Sequence, residues 1–441
     1  MRTQILVITI VVLTGLILYL EWPSQPAGRG KESRTTGTGG RLDKETGGRE
    51  HAVTAQPTSA PTPTPTPTPT KKEEPRMTKE QIDKAKEQLE AVFQSIEETA
   101  TDQQKVKIRD LSRSLAIAGE SGISALGEVV MSERADCAAV ALQELATVMR
   151  LPGRHMEKAQ GTALLLKVVS NHQNVSVRCA AVALLGEMKI EESLQLLREI
   201  AQTASASELK QEAAISIGKI GSAKAVQALL DIARNPGEAE QVSAIRGLAY
   251  SRGPEAVNFL VETLSEGSDS LRAEAALALG KMGDKNVSTH LKDSFLKETS
   301  DAVIAACAEG LTTLQGSSET IGWLREQMSG AKSEGDKLRA LTGLVGIGGQ
   351  SGRDALFAVA KDDQESESIR IAAIQKLDLP EFRENMKESV IQFLKEVAAE
   401  EKSEAVRSAA SVMLDGWGVT KEPKQPEEQP SPPPPEPPEE K

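Results

Sequence analysis

The feature that most constrains this chain is a repeat. Gly221, Gly253, Gly283, Gly316 and Gly348 follow one another at steps of 32, 30, 33 and 32 residues. Between them apolar residues recur at three- and four-residue steps, which marks one face of a helix. Val226, Leu229, Leu230 and Ile232 line one such segment, and Val257, Leu260 and Leu264 line the next. The other half of each unit is Ala-rich. One copy reads Lys210-Gln-Glu-Ala-Ala-Ile-Ser-Ile-Gly218-Lys-Ile-Gly221, and another reads Arg272-Ala-Glu-Ala-Ala-Leu-Ala-Leu-Gly280-Lys-Met-Gly283. Two helices per unit of this period predict an all-α fold, an alpha-alpha superhelix. One pair of short helices cannot bury its apolar face, so neighbouring pairs must stack. Ala213, Ala214, Ala275 and Ala276 allow close backbone approach. A glycine just past a helix end suits the left-handed cap, and Pro254 after Gly253 suits a first turn.

Composition agrees with this reading. Aromatic residues are only 2% of the chain, so the core is filled by small and aliphatic side chains. Of 22 prolines, only Pro152, Pro236, Pro254 and Pro380 fall within residues 77–418, which leaves room for uninterrupted helices. The ordered region opens at Thr78, where Thr78 and Gln81 form a capping-box pattern. Ile82, Ala85, Leu89, Val92 and Ile96 then mark a helix over about 79–98. Residues 77–104 are expected to cap the array and residues 105–418 to form the repeats.

The flanks read differently. Ile5 to Leu20 is an apolar run; extended to Trp22 it is long enough for a transmembrane helix of about 30 Å. The run ends in Leu20-Glu21-Trp22-Pro23, without the small-x-small pattern of a cleaved signal peptide. Residues 1–22 are therefore expected to be a single-pass anchor in the cell membrane. Arg2 precedes the run and Glu21 follows it, so the expected orientation is N-terminus in, solenoid extracytoplasmic. Residues 23–76 have no apolar period and include five Pro-Thr dipeptides at 61–70. They read as a disordered stalk, with a polyproline stretch of about 31 Å. Residues 419–441, rich in Pro and Glu, read as a disordered tail.

The repeated (Arg/Lys)-x-x-Ala-Ala-x-x-x-Gly pattern and its glycine turn resemble the HEAT-repeat family, in particular the short units of the phycobilisome-lyase-like type. The resemblance covers about 105–418 and is clearest from 174 to 350. It implies a superhelix whose surfaces bind other macromolecules. Fold alone does not name a partner.

No residue pattern points to catalysis. The formal charge of −12 falls entirely within residues 77–418, because the flanks sum to zero. That argues against a nucleic-acid-binding groove. His51, His155, His172 and His290 are followed by Ala52, Met156, Gln173 and Leu291. The His-Glu pairs of deoxyhypusine hydroxylase, a HEAT-type di-iron enzyme, are therefore missing. The Gly346–Gly352 cluster lacks the lysine of a phosphate-binding loop. No catalytic, cofactor-binding or metal-binding residue is assigned, and no cofactor or small-molecule substrate is expected. Cys137, Cys179 and Cys307 are expected to be unpaired, buried small hydrophobes. Cys137 and Cys179 both open an identical Cys-Ala-Ala-Val-Ala-Leu hexapeptide. Arg178, Lys210, Arg272, Arg339, Arg370 and Arg407 form a basic ladder, expected to pair with acidic groups of the adjacent unit, or to hold solvated heads on packed stems, rather than to grip an acidic partner. Trp323 is expected in the core, and Trp417 over its open end. The expected function is a membrane-tethered scaffold for protein–protein interaction without catalysis. The alternative is an enzyme or accessory of the bilin-lyase or deoxyhypusine-hydroxylase class.

Overall fold

The computed structural model describes residues 77–131 and 135–419. The expected anchor, the stalk with His51, and the tail beyond Val419 lie outside these residues. Within them every regular element is helical, with twenty-one α-helices and two short 3-10 turns. No described helix is long and apolar enough to cross a membrane.

The helices alternate between two layers. One layer holds α1 (Lys79–Gln94), α3 (Glu120–Val130), α5 (His155–Asn171), α7 (Leu194–Thr203), α9 (Ala223–Ala233), α11 (Pro254–Glu266), α13 (Ser288–Lys297), α15 (Ser317–Ser329), α17 (Gly349–Ala360) and α20 (Lys387–Glu400). The other holds α2 (Asp102–Ile117), α4 (Ala135–Met149), α6 (Val175–Glu187), α8 (Ser207–Ile220), α10 (Glu238–Leu248), α12 (Asp269–Met282), α14 (Asp301–Gln315), α16 (Glu334–Ile347), α18 (Glu367–Lys376) and α21 (Glu404–Gly416). The short α19 (Pro380–Asn385) bridges α18 and α20. Successive helices of the second layer pack on one another far more closely than those of the first. The second layer is therefore the inner side of the curve.

The cause of this closeness is the pattern glycine. Gly218 and Gly280 do not cap helices; they sit inside α8 and α12. A Cβ on Gly280 would lie 2.5 Å from the Gly310 Cα of α14, and one on Gly310 would lie 2.7 Å from the Ala276 oxygen. Gly218 meets the Gly247 backbone, and Gly346 meets that of Ala305. Backbone rests on backbone along the inner layer, whereas the outer layer meets through longer side chains.

The turn glycines follow the sequence in part. Gly221 and Gly283 adopt the left-handed cap, at φ 68° and 75°. Gly253 instead is extended and precedes α11, with Pro254 in its first turn. The Thr78–Gln81 capping box forms at the start of α1, and Thr101 and Gln104 make a second one on α2. Helix α1 packs on α2 and α3, so it is the outer member of the first pair. Trp323 is half-buried, edge-on to the fully buried Phe295 at 5.0 Å between ring centroids. Trp417 folds back over the last pair, buried, with its indole N–H donating to Asp378 Oδ1 at 2.6 Å.

Candidate protein-binding face

The basic ladder ties the array together. Arg272 donates Nε and Nη2 to the two carboxylate oxygens of Glu298, at 2.9 and 3.0 Å, and Nη1 to the Gly267 carbonyl at 2.9 Å. Lys210 pairs with Glu240, and the buried Arg370 pairs with Glu401 while donating to the Ala360 carbonyl. Arg178 donates to the Val169 carbonyl, Arg339 to that of Glu298, and Arg407 to those of Glu401 and Lys402. Each side chain is committed to its own unit or a neighbour's. The ladder is structural, as its periodicity suggested.

The inner face carries a second set of polar side chains. With the units in register, two columns face away from the core. One runs Glu187, Lys219, Tyr250 and Lys281; the other runs Ala183, Ile215, Arg246, Leu277 and Glu309. In the first column Lys281 donates to the Tyr250 hydroxyl at 2.6 Å and sits 4.3 Å from its ring centroid. Lys219 lies 5.7 Å from the same ring, on the side of Glu187, which also takes Arg150 at 2.9 Å. In the second, Arg246 forks onto Glu274 and reaches Gln211 at 3.1 Å. Cation–π contacts of this kind hold an aromatic ring in place.

Two carboxyls on this side titrate above the usual carboxylate range. Burial pushes Glu212 up, Lys219 opposes the shift, and Glu187 adds to it. Burial also raises Glu309, helped by the charges of Glu381 and Glu274. Such groups gain from a partner that brings hydrogen-bond donors or positive charge. Cys179 corrects an expectation. It is half-buried, not enclosed, whereas Cys137 and Cys307 are buried. Burial, with Glu212 and Glu208 nearby, pushes the Cys179 thiol up to about 11. It is protonated near neutral pH and a weak nucleophile. Among the described residues His155 and His290 are exposed, and His172 is buried with its Nδ1 accepting from the Asn174 N–H at 3.0 Å. No group of three His, Cys, Asp or Glu side chains among these residues is arranged to hold a metal ion.

Sequence reasoning missed Tyr250, Arg246 and Glu212. Part of the signal was present in the period. Columns at 31- and 32-residue steps could have been read for polar residues as well as for apolar ones.

Residues 162–240 and 233–312 match the family model of HEAT repeats. Residues 162–312 are HEAT repeats. No curated protein matches the sequence. Solved structures similar to this HEAT array include the CpcE–CpcF complex of phycocyanin lyase from Nostoc, at 17% identity and TM-score 0.29, over 58% of this chain and 94% of that one. Human deoxyhypusine hydroxylase in complex with glycerol is similar at 16% identity and TM-score 0.28, over 68% and 97%. A structure of tubulin recruitment and assembly by microtubule polymerases with TOG-domain arrays is similar at 12% identity and TM-score 0.25, over 76% and 96%.

Proposed function

We propose that this chain is a protein-interaction scaffold, without catalytic activity of its own, whose inner HEAT face binds another protein near a membrane. The observation that supports it best is the continuous inner surface from α6 to α14, with mixed charge and a tyrosine held between two lysines. A face of aromatic and fixed polar groups suits protein recognition, where Tyr and Arg dominate hot spots. The apolar run at residues 1–22 would tether the array, and the Pro-Thr stretch would hold it off the surface on the extracytoplasmic side. Tethering raises the local concentration of the array at membrane partners.

Photocrosslinking in native membranes tests this reading. A photoreactive residue at Lys281, on the inner face, is expected to capture a discrete protein. One at the exposed Lys297 of α13, on the outer face, is not. Equal capture at both positions, or none at either, would refute the assignment. Protease added to spheroplasts is expected to release a fragment beginning near residue 77. If release needs lysis of the inner membrane, the orientation is reversed. A mature chain that begins near residue 24 and washes off membranes removes the anchor.

A further inference from the structure

Near the C-terminal end of the array, α17 and α20 enclose a depression of about 280 Å³, lined by Phe357, Ala358, Lys361, Ser389, Gln392, Phe393 and Glu396. Its floor is an aromatic pair. Phe357 and Phe393 stack with centroids 3.8 Å apart and rings only 2° from parallel. Arg353 lies 5.5 Å from the Phe357 ring and Lys361 5.4 Å from the Phe393 ring. Phe357 is half-buried and Phe393 buried. The stacked pair turns ring edges toward the depression, and an aromatic-lined groove flanked by hydrogen-bonding groups suits a polyproline segment. Such a segment presents rigid rings and unpaired carbonyls, and its conformation needs little ordering on binding.

The sequence carries such a segment. Beyond Val419 it runs through Pro432-Pro-Pro-Pro435, Glu436 and Pro437-Pro438. Helices α20 and α21 are joined by a short loop and pack side by side, so they are antiparallel. The end of α21 therefore lies at the start of α20. There Trp417 is fastened to Asp378, and Gly418, at φ 71°, turns the chain so that the Val419 N–H meets the Leu414 carbonyl. Phe393 lies about 9 Å along α20 from Lys387, at 1.5 Å per residue. Residues 420–431 span up to about 40 Å when extended. The proline run can reach the groove with slack.

We propose that the aromatic groove of α17 and α20 is the docking site of the chain's own proline run, residues 432–438. Pro rings would pack on the edges of the Phe357–Phe393 pair, and Lys361 and Gln392, which both bond Glu396, would donate their remaining N–H groups to carbonyls of the run. Docking in cis would make the groove unavailable to external proline-rich segments.

The test is fluorescence anisotropy with a labelled peptide of residues 421–441, on the full chain and on a chain ended at Val419. The shortened chain is expected to bind the peptide at least five-fold more tightly. A tethered segment competes at an effective concentration in the millimolar range. A peptide with Pro432 to Pro435 replaced by Ser is expected to bind at least ten-fold more weakly, as is the intact peptide to the Phe357→Ala chain. Because Phe357→Ala can disturb packing, its thermal unfolding is compared with that of the parent. The Ser peptide decides the matter whatever that variant does. Equal affinity for the full and shortened chains, no binding to either, or tighter binding of a peptide of residues 57–72 would overturn the proposal.

Discussion

The inner seam makes a quantitative prediction through one methyl group. In Gly280→Ala the new carbon would meet the Gly310 Cα at 2.5 Å and the Gly310 carbonyl carbon at 2.9 Å. Carbon atoms pack at about 3.5–4.0 Å, so α12 and α14 must part by roughly 1 Å. Both contact atoms belong to a helix backbone, and no side chain can swing aside. Overpacking of this kind costs about 1–3 kcal/mol. Alanine recovers up to about 1 kcal/mol of helix propensity over glycine. With only rigid backbone at the contact the cost falls in the upper half of that range, so the net expectation is a loss of about 1–2 kcal/mol, with Gly280→Val losing more. Gly322 supplies the matched control. It lies within α15, and a methyl group there would have nothing within 4 Å, so Gly322→Ala should gain about 0.5–1 kcal/mol. Urea unfolding followed by circular dichroism measures both. Hydrogen exchange on α12 and α14 shows whether the loss is local, since repeats can open separately. If Gly280→Ala is as stable as the parent while Gly322→Ala gains, the seam does not rest on backbone contact.

Removing Arg272 leaves the nearly buried Glu298 without its fork, and Arg272→Ala is expected to cost about 2–4 kcal/mol. The double variant Arg272→Met with Glu298→Leu should cost less than the single one, and a double-mutant cycle without coupling would contradict this. Burial pushes the Glu298 carboxyl up, but Arg272 and the Ser300 and Thr299 N–H groups outweigh it, so the net shift is downward. A lowered folded value contributes stability above the ordinary carboxylate range that is lost as pH falls through the folded value. Acid unfolding of the parent should therefore begin below about pH 4.3, and the Arg272→Ala chain should lose less stability over that range; identical pH profiles would refute the pairing. Cys179, with its thiol at about 11, should label with a maleimide about a hundred-fold more slowly than a free cysteine at pH 8. Its rate should rise roughly ten-fold per pH unit up to pH 10, and labelling as fast as free cysteine would show the thiol to be more exposed or less perturbed.

Much of the fold was legible because it is local and periodic. The capping box at Thr78, the left-handed caps at Gly221 and Gly283 and the first-turn Pro254 each depend on a few adjacent residues. The partners of the basic ladder were not legible. Glu240, Glu298 and Glu401 lie 26 to 31 residues from the cations they meet, and only the pitch of the stack brings them together. Gly218 and Gly280 stood in the repeated motif without an assigned role, and their contact across helices is one that no single unit displays. The paired hexapeptides show the limit most clearly. Cys137 and Cys179 share six residues and differ in exposure, because accessibility is decided by the flanking units. The inner-face columns need the period and the handedness of the stack together, and the sequence supplied only the period.

A seam of backbone against backbone also bears on how such an array can be altered. Its spacing depends on glycine and main-chain atoms, so the side chains that face outward are free to vary without changing the pitch. Each pair meets its neighbours through the same surface. A duplicated segment such as residues 222–253 should therefore insert in register, lengthening the array by one unit and adding one more position to each inner column. The partner-facing surface can thus be extended or rewritten unit by unit, while the frame that sets its curvature stays the same.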